Sequence, residues 1–191
     1  MKYKYAPYAC GEKTDLWTVR LERLILEIAK TARHHKKKYF LSGGFAIDLA
    51  FGSITRSHED IDFHPLEKDA KWWEKWFVKR GYLIKTTKDT KLFKYAFVVF
   101  DRKSNYVADV YPFTATNTGR ISMVDKNGIK RVWKGKSWKK SKGIKHKGVI
   151  ITIENPRTII FQKMHHAKEF HIKLSKKHLH DLEIFKKVNK S

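Results

Sequence analysis

The chain has 191 residues, 41% of them hydrophobic, with six Trp, eight Tyr and twelve Phe; this suffices for a packed domain and excludes a disordered polyelectrolyte. Lys and Arg number 42 against 19 Asp and Glu, a formal net charge of +23, which makes polyanions such as nucleotides or nucleic acid natural partners, although the same excess also serves plain solubility. The single cysteine, Cys10, excludes an internal disulfide and a cysteine-built zinc site, and with neither an apolar leader in MKYKYAPYAC nor a run near the roughly 18 apolar residues of a membrane span, a cytoplasmic chain without membrane contact is expected.

Residues 15–33 read as an amphipathic helix with Leu16, Val19, Leu21, Leu24, Ile25, Ile28 and Ala29 on one stripe. Thr14 or Asp15 caps its start, and the run from Arg33 to Lys38 suits its C-terminus. A short strand at 39–41 leads into the turn Ser42-Gly43-Gly44 and a short helix over 45–51, stopped by Gly52. Ile61 and its neighbours form a strand ended by Pro65. A helix over 66–79 carries Trp72, Trp73, Trp76 and Phe77 as core residues, and Gly81 closes it. Strands follow near 82–86, 92–100 and 105–113, the last two joined through Asp101-Arg102-Lys103-Ser104. Asn127-Gly128 marks another hairpin. Residues 134–147 read as a Lys/Gly/Ser-rich loop and 149–153 as a β-branched strand. Asn155-Pro156 opens a helix with stripe Ile159, Ile160, Lys163, Met164 and Ala167, and a last helix from Ser175 carries Leu179, Leu182, Phe185 and Val188. The expected fold is α+β, a mixed β-sheet flanked by helices with a C-terminal helical pair. Residues 1–153 form the core, with a basic hairpin at 130–147, and 154–191 the helical segment.

The chemistry concentrates in LSGGFAIDLAFGSITRSHEDIDF, residues 41–63. Two glycines between a strand and a helix let backbone N–H groups approach an anion, and the helix N-terminus adds positive partial charge; alone, the pair also fits a plain tight turn. In Glu59-Asp60-Ile61-Asp62-Phe63, strand periodicity puts Asp60 and Asp62 side by side and Ile61 and Phe63 on the other face. Adjacent carboxylates repel unless a cation lies between them, and magnesium takes one or two carboxylates together with substrate phosphates. Asp109 is a lone acid in an apolar strand, where a buried charge needs a partner: a shared metal or a core ion pair. Glu59 should face away from the pair, and Asp48 should order the loop.

The string GGFAIDLAFGSITRSHEDID resembles the motif of the aminoglycoside 2''-nucleotidyltransferase type within the DNA polymerase β-like nucleotidyltransferases, and is similar to lincosamide nucleotidyltransferases and to the toxins of abortive-infection systems. Gly43 and Gly44 match the phosphate-binding glycines, Phe45 the aromatic, Thr55-Arg56 and His58 the Thr-Arg-x-His step, Asp60 and Asp62 the metal aspartates and Asp109 the third acid. The resemblance is dense over about 23 residues and thinner elsewhere, where only the start of the helix at Asn155-Pro156-Arg157-Thr158-Ile159-Ile160 matches. It implies transfer of a nucleoside monophosphate from a nucleoside triphosphate (NTP) to a hydroxyl, with release of pyrophosphate. Asp60 and Asp62 would bridge two Mg2+ ions, and Asp109 would bind the second or take the hydroxyl proton. Ser42 and the Gly43-Gly44 backbone would hold phosphates. Arg56 and His58 join the nucleotide site through the motif, and Lys94 through its expected place on a strand beside it.

Other features say less. His165, His166, His171, His178 and His180 lack zinc-ligand spacing and read as solvated or anion-contacting positions. The lysines of 130–147, interleaved with Trp133 and Trp138, suit an RNA backbone or a solvated hairpin. Acids are sparse after residue 153, namely Glu154, Glu169, Asp181 and Glu183. A polycationic acceptor is therefore disfavoured; RNA or a weakly charged antibiotic fits the charge better. Whether a protein partner exists stays open. The alternative from another class is a non-catalytic nucleic-acid-binding protein on the same fold.

Overall fold

The computed structural model describes residues 15–88, 90–137, 140–169, 171 and 173–188. The expectations for Cys10, Thr14, Trp138 and Lys139, and for the side chains of Trp133, Lys134, Lys136, His166 and Val188, lie outside the described residues. The first helix, α1 (Leu16–His34), is capped by Asp15, whose carboxylate accepts from the Thr18 amide at 2.6 Å. Leu21, Leu24, Ile25, Ile28, Ala29 and Ala32 are buried along it. Leu16 is exposed, because it precedes the first full turn and the core-facing position there belongs to Thr18.

Strand β1 (Tyr39–Leu41) runs directly into helix α2 (Gly43–Phe51), which begins at the first glycine. Strand β2 (Ile61–Pro65) follows, then a short 3-10 turn and helix α3 (Ala70–Lys79). Trp73, Trp76 and Phe77 are buried, as the spacing predicts, whereas Trp72 stays partly exposed beneath the Lys37 ammonium, 5.2 Å from its ring. Strands β3 (Leu83–Lys85), β4 (Phe97–Phe100) and β5 (Tyr106–Val110) complete one half of the main sheet. The expected strand over 92–100 is shorter than its apolar content suggests. Thr87 and Thr90 exchange side-chain and backbone hydrogen bonds, one of 2.7 Å, and these hold a helical turn at Thr90–Leu92 in place of a ladder. Lys94 consequently lies in an exposed turn, not on a strand, with its amide donating to Val124.

A second, three-stranded sheet is built from β6 (Thr114–Ala115), β7 (Arg120–Val124) and β8 (Lys130–Ser137). Its central hairpin is set by Asp125, whose carboxylate accepts from the amides of Asn127 and Ile129. The expected loop over 134–147 is largely strand. Besides the end of β8 it contains β9 (Lys142–His146), which pairs antiparallel with β10 (Val149–Ile153) and forms an edge of the main sheet. The two residues between them, Lys147 and Gly148, have φ of 45° and 79°, the pattern of a tight primed hairpin turn. Composition hid this strand, because an edge strand tolerates lysine on its solvent side.

The main sheet has the order β3-β4-β5-β2-β1-β10-β9, with β2/β5 and β1/β10 parallel and the other neighbours antiparallel. Helices α4 (Pro156–Glu169) and α5 (Lys176–Val188) follow. Ile159, Ile160 and Ile184 join the core formed by α1, α2, α3 and the sheet. Met164 and Leu179, expected on the buried stripes, are more than half exposed, because each helix buries only a narrow side. The architecture is the expected α+β arrangement, a mixed sheet flanked by helices. No described helix is long and apolar enough to cross a membrane.

Candidate active site

Asp62 and Asp109 are direct partners across the parallel pair β2/β5, so their side chains leave the sheet on the same face. Ile61 and Phe63, on the alternate positions, are fully buried. Asp60 stands just before β2, close enough to feel both other acids. Burial pushes its carboxyl up to about 8, with Asp62 and then Asp109 adding to the rise, Lys177 opposing it and Glu59 adding a little. Burial also raises the Tyr106 hydroxyl, which donates a hydrogen bond to Asp109 and stays protonated. The three sequence-identified acids thus converge. Hard carboxylate oxygens crowded together are a donor set that fits magnesium. They do not form a closed cage: among the described residues no group of three His, Cys, Asp or Glu has ready-made metal-ligand geometry. An ion here would take its other ligands from phosphate and water.

Gly43 lies against this cluster. Its φ is +65°, and a Cβ built on it would come within 1.8 Å of Asp62 Oδ2. The Ser42 amide donates to the Asp62 carbonyl at 3.0 Å, fastening the start of α2 to β2. The N-terminus of α2 is therefore presented beside the carboxylates, where backbone N–H groups can meet a phosphate. The Ser42 hydroxyl itself is turned away and donates to Glu154 at 2.5 Å.

Gly44 makes room for Arg56. A Cβ there would lie 1.9 Å from Arg56 Nη2 and 2.9 Å from the His58 ring. Arg56 is held by both oxygens of the fully buried Asp181, at 2.8 and 3.2 Å, and by the Ser57 carbonyl. Lys163 binds the same Asp181 at 2.9 Å. Burial alone would raise the Asp181 carboxyl, but the hydrogen bonds and charges of Arg56 and Lys163 together outweigh it and hold it below its ordinary range. His58 is buried between the Phe45 ring, stacked at 3.8 Å, and Asp48, 2.7 Å from its Nε2. Burial, aided by the nearby Arg56 charge, lowers its pKa against the opposing pull of Asp48. Asp48 also accepts from the Thr55 amide and hydroxyl, and so orders the loop as its place in the motif suggests.

The acids and glycines are therefore brought together, Arg56 and His58 stand behind the glycine turn, and Lys94 projects from the exposed turn next to β7. Two participants had no local signature: Asp181, an isolated acid 125 residues from Arg56, and Lys177, whose Nζ reaches Glu59 Oε2 at 3.4 Å.

Residues 24–183 match the family described as aminoglycoside-2''-adenylyltransferase. No curated protein sequence matches the chain. Among solved structures the fold is similar to the lincomycin-bound lincosamide antibiotic adenylyltransferase LnuA, with a TM-score of 0.67 at 19% identity, covering 87% of this chain and 97% of that one. It is also similar to ANT(2'')-Ia in complex with adenylyl-2''-tobramycin, with a TM-score of 0.61 at 16% identity, covering 90% and 94%.

Proposed function

Because the chain belongs to the aminoglycoside-2''-adenylyltransferase family and is a nucleotidyltransferase, we propose that it transfers a nucleoside monophosphate, AMP from ATP in the first instance, to a hydroxyl of a small, weakly charged acceptor. The observation that carries this reading is the pairing of Asp62 with Asp109 on one sheet face, directly beneath Gly43 at the start of α2. A triphosphate laid along the α2 N-terminus would bring its α-phosphate over these acids. Asp60 and Asp62 would hold magnesium, which when bound would offset the charge of the phosphates and of the developing transition state. Asp109 takes the proton of the attacking hydroxyl. The acceptor oxygen then bonds to the α-phosphorus, the bond from that phosphorus to the β-phosphate oxygen breaks, and pyrophosphate departs with the electron pair. The Gly43 and Gly44 amides hold the phosphate tail, while Arg56, His58 and the Ser42 hydroxyl keep the turn in shape.

The charge distribution supports a weakly charged acceptor over a polycation. Beyond the catalytic acids, the buried carboxylates nearby are engaged: Asp181 by two cations and Glu154 by Ser42. The net charge of +23 also repels a polycationic drug.

Label transfer from ATP, GTP, CTP and UTP, each with magnesium, tests the reading against a lincosamide, an aminoglycoside and total RNA. Label on the lincosamide, lost in Asp60→Ala, is expected. Label on the aminoglycoside or on RNA keeps nucleotidyl transfer and removes the acceptor assignment. No transfer and no nucleotide binding would sink the catalytic role.

A further inference from the structure

A triphosphate that enters an acid-lined cleft needs positive charge from the protein as well as from metal. Arg56, through the motif, and Lys94, through its expected strand, are the cations that the sequence suggests, and neither is well placed. Three contacts hold Arg56 behind Gly44, two of them to Asp181. Lys94 occupies an exposed turn bonded to β7. Lys163 is bound to Asp181 as well. Lys177, on the first turn of α5, is different: its ammonium faces Glu59, the neighbour of Asp60, and its charge counters the acids at Asp60.

Three residues on one side of α5 grip the loop that leads into β2. His180 Nε2 lies 2.8 Å from the Thr55 hydroxyl, Asp181 holds Arg56, and Lys177 reaches Glu59. The spacing i, i+3, i+4 puts them on one helix face. Buried Asp181 and half-buried His180 fix where the third, exposed, side chain can reach. The Lys177–Glu59 pair is long and about half exposed on both sides, so it contributes little and yields readily to a stronger anion.

We propose that Lys177 binds the β- and γ-phosphates of the bound nucleotide, exchanging Glu59 for the triphosphate tail and staying with pyrophosphate as it leaves. This rests on the nucleotidyl-transfer reading above. In the transfer step the bond between the α-phosphorus and the bridging oxygen breaks, and the electron pair moves onto the pyrophosphate. A cation on that oxygen side stabilises the leaving group without taking part in proton transfer. Glu59 then acts as the resting partner that keeps the ammonium at the mouth of the cleft.

The test is calorimetric titration of the full chain and of Lys177→Met, Lys177→Gln and Lys177→Arg. The probes are magnesium with the preferred NTP, magnesium with inorganic pyrophosphate, and the matching nucleoside monophosphate, and thermal melts check folding. Loss of a charge-assisted contact is expected to weaken NTP and pyrophosphate about tenfold in Lys177→Met and Lys177→Gln. The monophosphate should bind unchanged, and Lys177→Arg should retain most of the affinity. Folded Lys177→Met and Lys177→Gln that bind pyrophosphate like the wild type would overturn the proposal and leave the nucleotidyl-transfer reading intact. A wild-type chain that binds no NTP with magnesium removes that reading, and Lys177 with it.

Discussion

Gly43 and Gly52 both have positive φ, yet they differ in what a methyl group would meet. At Gly43 the added Cβ would overlap Asp62 Oδ2 at 1.8 Å, whereas at Gly52 nothing lies within 4 Å. Gly43→Ala must displace either the turn or the aspartate. Since misplacing a catalytic group by an ångström costs on the order of 100-fold, transfer from NTP should fall by about that factor while circular dichroism stays native. Gly52→Ala carries only the backbone strain of a left-handed residue, about 1–2 kcal/mol; its melting temperature should drop and its turnover should persist. Equal activity in the two variants would remove Gly43 from the phosphate site. At this scale the sequence was informative: Asp60, Asp62 and the glycine pair are marked by local spacing, although Asp60 precedes the strand that carries Asp62. The Ser42 hydroxyl was not legible, because its partner Glu154 is 112 residues away.

At the scale of elements, the contact between α5 and the 55–59 loop determines how the motif is held. Asp181→Ala would leave Arg56 and Lys163 without their buried partner, and breaking such a pair costs about 3–5 kcal/mol. A denaturation midpoint near that of the wild type would contradict the structural role assigned here. The pH dependence follows from the lowered Asp181 carboxyl. Its folded value lies below the unfolded one, so the unfolded chain binds the proton first on acidification. The stability is complete above the ordinary aspartate value, about 3.9, and is lost as pH falls through the folded value. The difference in unfolding free energy between wild type and Asp181→Asn should therefore be flat from pH 8 to 5 and shrink below about 4. The edge strand β9 teaches the same lesson from the other side: its lysines read as a loop until pairing with β10 supplied the hydrogen bonds that composition does not encode.

For the molecule as a whole, the net charge of +23 acts beyond any one site. Polyanions are held by counterion release, and the affinity falls steeply with salt. Filter binding should show RNA retained at low salt and released by about 0.2 M, with no nucleotidyl label on the retained RNA. Label on RNA that survives high salt would make nucleic acid the acceptor and explain the charge directly. A net charge of this sign favours the approach of an anionic nucleotide.

Most of the order of helices and strands, β9 excepted, the two-residue spacing of Asp60 and Asp62, and the flexible Gly43-Gly44 turn are properties of neighbouring residues, and the chain determined them by itself. Asp109 was also visible, as a charge in a strand otherwise built to be buried. Only the tertiary structure decided that Asp109 lies beside Asp62, that Arg56 is bound to Asp181, and that Lys177 reaches Glu59. Strand register aligns the first pair, and helix docking across 125 and 118 positions of chain makes the other two contacts. Such contacts depend on how separate elements pack, and no periodicity within either segment carries that information.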